Sequence, residues 1–528
     1  MMNDVKEGTL NLPQTASNNM SGKNEESCSY SLHDMDNNKK NVDVEAECVA
    51  TPQHPPEGDS RQNILQNDTK PAIGTQVFAT LVMALMQVNT GALLAFSGIT
   101  LPQLTDPQTN DLFLNQSQTA FFGSLGYLAA AVGSCVSGPL LVKLGRRVSL
   151  LVTLPITVAS WLSLALSPTV WLLLTSRAIL GIIDGIVFTA TYLYTIEIAH
   201  NNIRGILSGI ISLARLMGLL MVSSLGVSKL DWRQMGFVCC GVSALPFFCL
   251  ILLPNSPRWL VTQDRFTEAQ KALLFLRGKH YDSGPEFQEI IQQISTVDKK
   301  LDKSWQQVRL LFEPSTARVF LLLTVLTLLT STSGSYVIMS YSVPIFQTVD
   351  STLDPYISAI IFYVVRVFGN LVHLCVIDRL GRKLLIIVSF SLCSVCMATY
   401  GVYFYIHKTA NVSGMGWIPL TAAMIFVFFF GIGQPAIFIL NGELLPITCR
   451  SIGKPVLSLS LNCGAFISTY IYPMTVEALG EHGTFWLFSG ASALITFVSA
   501  AALPETRGRS LEEITGNHIN NWYQRTRL

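Results

Sequence analysis

Long apolar runs alternate with short charged loops from about residue 73 to residue 503. Each run has about the 17–25 residues that a helix needs to cross the hydrocarbon core of a bilayer. A soluble all-helical core is the alternative, but its helices would show polar stripes, and the stretch from Phe426 to Phe430 shows none. The pattern therefore predicts an all-α membrane protein with twelve transmembrane helices. They are placed at 73–97, 120–141, 148–167, 170–195, 206–228, 235–253, 317–341, 356–377, 384–406, 417–440, 453–475 and 484–503.

The twelve runs fall into two groups of six that are separated by a long polar segment. Residues 1–70 are rich in Asn, Ser, Asp and Glu without a sustained apolar period, which predicts a disordered tail. The first apolar run begins near Ile73, too late for a cleaved leader, so we expect it to be a membrane anchor. The predicted division is a cytoplasmic tail at 1–70, a six-helix half at 71–254, a linker at 255–316, a second six-helix half at 317–503 and a cytoplasmic tail at 504–528.

Three short charged motifs occur twice, in the same order and at nearly equal displacements. Chance matches would scatter, so the repetition indicates a duplicated half. In membrane proteins built from two repeats, binding sites lie where the repeats meet. The matched motifs are 143–147 with 378–383, Glu197 and Arg204 with Glu443 and Arg450, and 254–258 with 504–507.

The linker contains two segments with amphipathic helical spacing, at 266–277 and 286–301. One interpretation is a set of short helices that hold the two halves together on the cytoplasmic side. The alternative is a solvated linker without such a role.

The distribution of charge predicts the orientation of the chain in the membrane. Half of the residues are hydrophobic and 13% are charged, about half the charged share of a soluble domain. Most of the 35 lysine and arginine residues fall on one side, which is expected to be cytoplasmic, so both termini are predicted to lie inside. Two glycosylation sequons, at Asn115 and Asn411, then fall in outside loops.

Few features of the sequence point to an enzyme. It contains no phosphate-binding glycine loop, no His-Glu-X-X-His and no nucleophile elbow. Cys393-X-X-Cys396 lies inside an apolar run and is interpreted as packing. The net charge of +1 gives no argument for nucleic acid. We therefore expect no catalysis, no metal and no cofactor, and the expected partners are the lipid bilayer and a small solute.

Six motifs together resemble those of the sugar porters of the major facilitator superfamily, and within them the insect facilitated trehalose transporters. The resemblance covers about residues 73 to 515. It implies a twelve-helix carrier of the plasma membrane that moves a sugar, trehalose- or hexose-like, down its gradient by alternating access. The motifs lie at 138–147, at Tyr194 to Arg204 with Gly205, at 254–260, at 378–383, at Gly442 to Arg450 and at 504–514.

The repeated charged motifs predict a cytoplasmic gate. Carboxylates and the carbonyls at helix C-termini both attract cations, and ion pairs there would close the cytoplasmic mouth and break when it opens. Positive-inside topology is the alternative, and it explains the arginines without explaining the matched glutamates. Where the family usually has Asp in the first motif, this chain has Val142. The gate residues are Arg146, Arg147, Glu197, Arg204, Arg382, Lys383, Glu443 and Arg450.

The positions that bind sugar in the family carry other side chains in this chain. Sugar porters bind hydroxyl groups through amides, which both donate and accept hydrogen bonds, and through an aromatic face. At the matching positions the resemblance implies as solute-binding residues Ser212, Thr330, Ser331, Tyr336, Arg366 and Phe438.

Arg366 lies near the middle of its apolar run, where a lone cation costs about 2.5–3.5 kcal/mol on insertion scales. Asp184 is the expected partner of Arg215, but the C-terminal half offers Arg366 no comparable carboxylate. Arg366 either faces a solute cavity, or it snorkels or pairs with backbone carbonyls. Three functions follow as hypotheses: a sugar carrier, the same scaffold retuned for an anionic or other non-sugar solute, and a nutrient sensor that does not transport.

Overall fold

A computed structural model describes residues 72–107, 112–200, 203–278, 281–300, 309, 311–349, 351–410, 414–445 and 450–503. Within these residues the protein consists of helices and loops, without a strand. Ten of the described helices are long and apolar enough to cross a membrane, as judged by length and composition. The two predicted tails lie outside the described residues.

Twelve spans result when one merged helix is divided and the pieces of two interrupted helices are each counted as a single span. The last helix, Arg450–Ala502, is broken at Gly480, whose φ of 72° is not helical, into spans at 450–479 and 481–502. The seventh span is made of Pro314–Thr332, Ser335–Ser340 and Ser342–Gln347. The remaining spans are Ile73–Leu104, Gln116–Leu144, Arg146–Ala165, Val170–Ile198, Arg204–Val227, Trp232–Ala244 with Pro246–Leu252, Pro355–Leu380, Arg382–Ala410 and Trp417–Glu443.

The seventh span differs from its prediction as one continuous helix at 317–341. Gly334 has a φ of 98°, which lies in the left-handed region that L side chains avoid. The helix therefore stops before Gly334 and restarts after it, and the part after the break continues to Gln347. Hydropathy alone does not report this break, because both parts are equally apolar.

The second and eighth spans end alike, at Gly145 with φ of 79° and at Gly381 with φ of 84°. A glycine tolerates this conformation without steric cost and lets the chain turn directly into the next helix. Each following helix begins with an arginine, Arg146 or Arg382. The duplicated motif thus has the same local structure in both halves.

The halves are packed internally through close backbone contacts. In the N-terminal half the first span packs on the fifth and the second on the fourth. A Cβ added at Gly218 would lie 2.0 Å from the carbonyl oxygen of Val88, so only glycine permits this approach. Between the halves, the second span contacts the eleventh and the fifth contacts the eighth.

The linker forms the short helices Pro257–Thr262, Phe266–Arg277 and Gly284–Lys300. Trp259 Nε1 donates to the carbonyl of Val142 at 2.9 Å, and Arg277 Nη1 donates to that of Ile198 at 2.7 Å. These bonds attach the linker to the N-terminal half. That the linker also holds the second half stays a prediction.

Candidate functional site

Arg366 is buried inside the C-terminal half, with 7% of its surface exposed. Its Nη1 donates to Ser335 Oγ at 3.0 Å and contacts Met339 Sδ at 3.1 Å. Its Nη2 donates to Gln434 Oε1 at 2.9 Å, and its guanidinium carbon lies 5.3 Å from the centre of the Phe430 ring. Within the described residues no carboxylate forms an ion pair with it. The guanidinium is thus held by side chains of the seventh and tenth spans and does not snorkel.

A chain of polar and aromatic contacts runs from Arg366 into the other half. Gln434 Nε2 donates to Tyr336 Oη at 2.7 Å, and the Tyr336 ring meets the Tyr127 ring edge to face at 5.5 Å. Ser340 Oγ donates to Tyr127 Oη at 3.2 Å. Because Tyr127 belongs to the second span, this cluster joins the two halves at the level of the break in the seventh span.

The expected pair of Arg215 and Asp184 lies across from this cluster, in the N-terminal half. Their closest atoms, Arg215 Nη2 and Asp184 Oδ2, are 3.8 Å apart, a long contact for an ion pair. The Arg215 guanidinium also stacks on the Phe188 ring, 4.7 Å from its centre. One turn before Arg215, Ser212 Oγ shares a hydrogen bond with Tyr192 Oη at 2.8 Å.

A small cavity lies between the first, second, fourth and seventh spans. Arg177 and Asp184 line it from the fourth span, together with Tyr127 and Ser340. Arg177 Nε donates to the carbonyl of Phe122 at 2.7 Å. Arg177 Nη1 and Asp184 Oδ1 are buried without a hydrogen-bond partner among the described residues. The cavity is therefore lined by one basic and one acidic residue, each with an unsatisfied buried atom.

The other residues implied by the family occupy different surroundings. Thr330 and Ser331 are buried and donate to carbonyls of their own helix, at 2.7 and 2.6 Å. Phe438 is 38% exposed in the tenth span. Of the implied set, the structure joins Tyr336 and Arg366 through Gln434, while the hydroxyls of Thr330 and Ser331 are satisfied by the backbone.

On the side of the N-terminal half that is predicted to be cytoplasmic, Arg146 forms an ion pair with Glu197 at 2.7 Å. Arg147 donates to the carbonyls of Leu250 and Ile251, so it caps the C-terminal end of the sixth span. Arg146 and Glu197 belong to the third and fourth spans, and their pair lies within one half.

The C-terminal half repeats this arrangement. Arg382 Nη2 lies 3.2 Å from Glu443 Oε1, and Lys383 beside it is half-buried. Arg204 begins the fifth span and Arg450 the eleventh, but the side chain of Arg450 lies outside the described residues. The matched glutamates thus hold matched arginines, each inside its own half, and their role in gating stays a prediction.

Asn115 caps the second span with a reciprocal pair of bonds. Its Oδ1 accepts from the backbone nitrogen of Gln118 at 2.9 Å, and its own backbone nitrogen donates to Gln118 Oε1 at 3.1 Å. Asn115 is exposed, as a glycosylated residue must be. Asn411, the second predicted glycosylation site, lies outside the described residues.

The sequence interpretation missed Gln434, Ser335 and Tyr127. All three are polar side chains inside apolar spans, a setting in which polar groups are costly and mark functional sites. Gln434 directly precedes Pro435 in a span whose residues are mostly apolar. An amide in the middle of an apolar span was the available signal.

Comparison with known proteins gives one consistent result. The family profile described as "Sugar (and other) transporter" matches residues 47–517. The chain is 30% identical over 441 residues to the facilitated trehalose transporter Tret1 of Apis mellifera ligustica, covering 83% of this chain and 87% of that protein. It is 30% identical over 463 residues to Tret1 of Polypedilum vanderplanki, covering 87% and 91%.

Among solved structures, the partially occluded, inward-open conformation of the xylose transporter XylE from E. coli has a similar fold. The TM-score is 0.70 at 20% identity, and the match covers 83% of this chain and 100% of that one. At this identity the likeness concerns the fold.

Proposed function

This chain belongs to the sugar (and other) transporter family, and from that premise we propose that it carries a sugar across the plasma membrane by facilitated diffusion. The chain is a multi-pass membrane protein with the major facilitator fold. The names of its relatives point to trehalose as the first solute to test, with hexoses next.

One observation carries this proposal: the polar cluster that joins the halves contains both partners that a sugar requires. Gln434 supplies an amide, which donates and accepts, and Tyr127 and Tyr336 supply rings and hydroxyl groups. Hydroxyl-rich solutes bind to such mixed donor and acceptor sets beside an aromatic face. The cluster lies at the interface of the repeats, where carriers of this architecture bind their solutes.

The same geometry indicates how binding favours a conformational change. The Gln434–Tyr336 hydrogen bond links the tenth span to the seventh, directly beyond the break at Gly334. A sugar hydroxyl that replaces this bond acts on the short helix Ser335–Ser340, which the break at Gly334 separates from Pro314–Thr332. A ligand shifts the balance of conformations only through contacts that differ between them. The contact between Gln434 and Tyr336 can act in this way because it lies next to the break in the seventh span.

Facilitated diffusion rather than proton-driven uptake is supported by the acidic residues. A proton-driven carrier needs a carboxylate that titrates in the solute path. The first span, Ile73–Leu104, contains no Asp or Glu. Asp184 pairs with Arg215, and their closest atoms lie 3.8 Å apart.

The experiment is uptake of radiolabelled trehalose and glucose into Xenopus oocytes that express the full chain. Saturable uptake above that of water-injected cells is expected for at least one sugar. Tyr336→Phe, which keeps the ring and removes the hydroxyl, should raise KM for that sugar severalfold. Tyr405→Phe is the matched control, because Tyr405 is 49% exposed and outside the cluster. Absence of uptake with the chain at the cell surface would contradict the proposal.

A further inference from the structure

The middle of the described spans carries more positive than negative charge. Arg177, Arg215 and Arg366 lie there, and Asp184 is the one carboxylate beside them in the described part of the chain. Asp184 lies 3.8 Å from Arg215 and cannot neutralise three cations. Charge inside the membrane is costly and marks the path of a charged or polar solute.

No carboxylate compensates the charge of Arg366 in the described part of the chain. Its bonded acceptors are a serine hydroxyl, a methionine sulfur and an amide oxygen, all of them neutral. A carboxylate or phosphate would accept from a guanidinium through two parallel bonds and bind it more strongly than any of these. These neutral groups therefore orient the guanidinium without neutralising its charge, so an anionic group of a solute can bind it.

Arg215 belongs to the fifth span, which packs against the eighth span that carries Arg366. Two contacts set the register of these spans: Gly209 lies against Leu374, and Gly226 lies against Tyr356. The two helices therefore run antiparallel, and this register places Arg215 and Arg366 at nearly the same level. The two arginines therefore lie at one level on opposite halves, and the space between them is the candidate site.

We propose that this space binds a sugar that carries an anionic group, such as a hexuronate, with its carboxylate between Arg215 and Arg366. The proposal rests on the sugar-carrier function and narrows its solute class. The sugar ring meets Tyr336 and Gln434, as a neutral sugar would. The carboxylate offsets the repulsion between two arginines on opposite halves, so binding draws the fifth and eighth spans together and favours the occluded conformation.

The test uses D-glucose and D-glucuronate, which share a ring and differ at C6. Oocytes expressing the full chain are given each labelled solute, and uptake is divided by the surface level of the protein. We expect saturable glucuronate uptake, with a membrane current that glucose does not evoke. Arg366→Gln and Arg215→Gln should each lower the glucuronate-to-glucose ratio at least tenfold. Arg366→Lys, which keeps the charge, should retain part of that ratio.

Arg265→Gln is the control, because Arg265 lies in an exposed ion pair with Glu268 in the linker. If a variant fails to reach the surface, competition in the unmodified protein decides: glucuronate should inhibit labelled sugar uptake at a lower concentration than glucose does. Uptake of glucose or trehalose with no glucuronate uptake, or a ratio unchanged in both arginine variants, overturns the inference and leaves the sugar-carrier function intact. Uptake of none of the three sugars contradicts the sugar-carrier function itself.

Discussion

Arg366 Nη2 donates to Gln434 Oε1 at 2.9 Å, so a cation of the eighth span is fixed by an amide of the tenth. The other end of that amide donates to Tyr336 Oη at 2.7 Å. Both functional groups of Gln434 are therefore used, and its amide cannot flip without losing both bonds. This residue fixes the orientation of the two side chains that we propose contact the solute.

Replacing Gln434 by Leu should lower sugar uptake at least tenfold. The substitution leaves a buried guanidinium without one acceptor and Tyr336 without its donor, a loss of about 1–3 kcal/mol for an unsatisfied buried group. Uptake normalised to surface level and the Tm of the purified protein measure the two effects. Gln263→Leu, at an exposed position in the linker, should change neither, and equal behaviour of the two variants would count against a binding role for Gln434.

If the paired arginines and glutamates form the predicted gate, their loss should slow cycling without loss of folding. Glu443→Ala and Arg382→Ala remove a pair whose atoms lie 3.2 Å apart, and a contact that differs between conformations changes their balance when it is lost. Both variants should reach the cell surface and transport at a fraction of the unmodified rate. Glu268→Ala, which breaks an exposed pair of little energetic value, serves as control. Wild-type turnover in both gate variants would show that these pairs have no part in gating.

Gly334, the one glycine of the seventh span, should tolerate substitution poorly. An added Cβ would lie 2.8 Å from the Phe488 ring, and the φ of 98° is unfavourable for alanine, at a cost of about 1–2 kcal/mol for the backbone alone. Gly334→Ala should therefore lower the Tm by several degrees and slow transport. Gly490→Ala is the control, because no atom lies within 4 Å of the added Cβ at that position. An equal Tm for the two variants would show that the backbone at Gly334 does not require glycine.

The linker contains an ion pair whose contribution depends on pH. Arg277 Nη2 lies 2.6 Å from Glu286 Oε1. Burial by itself raises the pKa of Glu286, but the hydrogen bonds and charge of Arg277 outweigh it and hold that pKa below its usual value of 4.5. A carboxyl whose folded pKa is lowered stabilises the protein above its unfolded pKa and loses that contribution as pH falls through the folded value.

We therefore expect the Tm of the unmodified protein to exceed that of Glu286→Gln at pH 7. The difference should shrink as the pH falls below about 4.5, because Glu286 then takes up a proton in the unfolded chain first and in the folded chain at lower pH. Thermal unfolding of both proteins from pH 7 to pH 4 measures it. A difference that stays constant over this range would contradict the role of the ion pair.

The spans were predictable because the bilayer fixes the length of an apolar helix, so counting residues locates them. The pairs Arg146–Glu197 and Arg382–Glu443 were predictable because the motif that contains their residues occurs twice in the sequence. The break at Gly334 was not predictable, because hydropathy contains no information on backbone dihedral angles. Gln434 was missed because its partners lie on two other spans, so only the tertiary packing reveals its role.

Counterflow with the purified chain in liposomes is the decisive measurement for facilitated transport of a sugar. Vesicles are loaded with unlabelled trehalose or glucose and diluted into a trace of the same labelled sugar, without a gradient of pH or voltage. We expect labelled sugar to accumulate transiently inside the vesicles, above its equilibrium level, to the same extent with and without a protonophore. Labelled sugar that never exceeds equilibrium, or that accumulates only under a proton gradient, would contradict it.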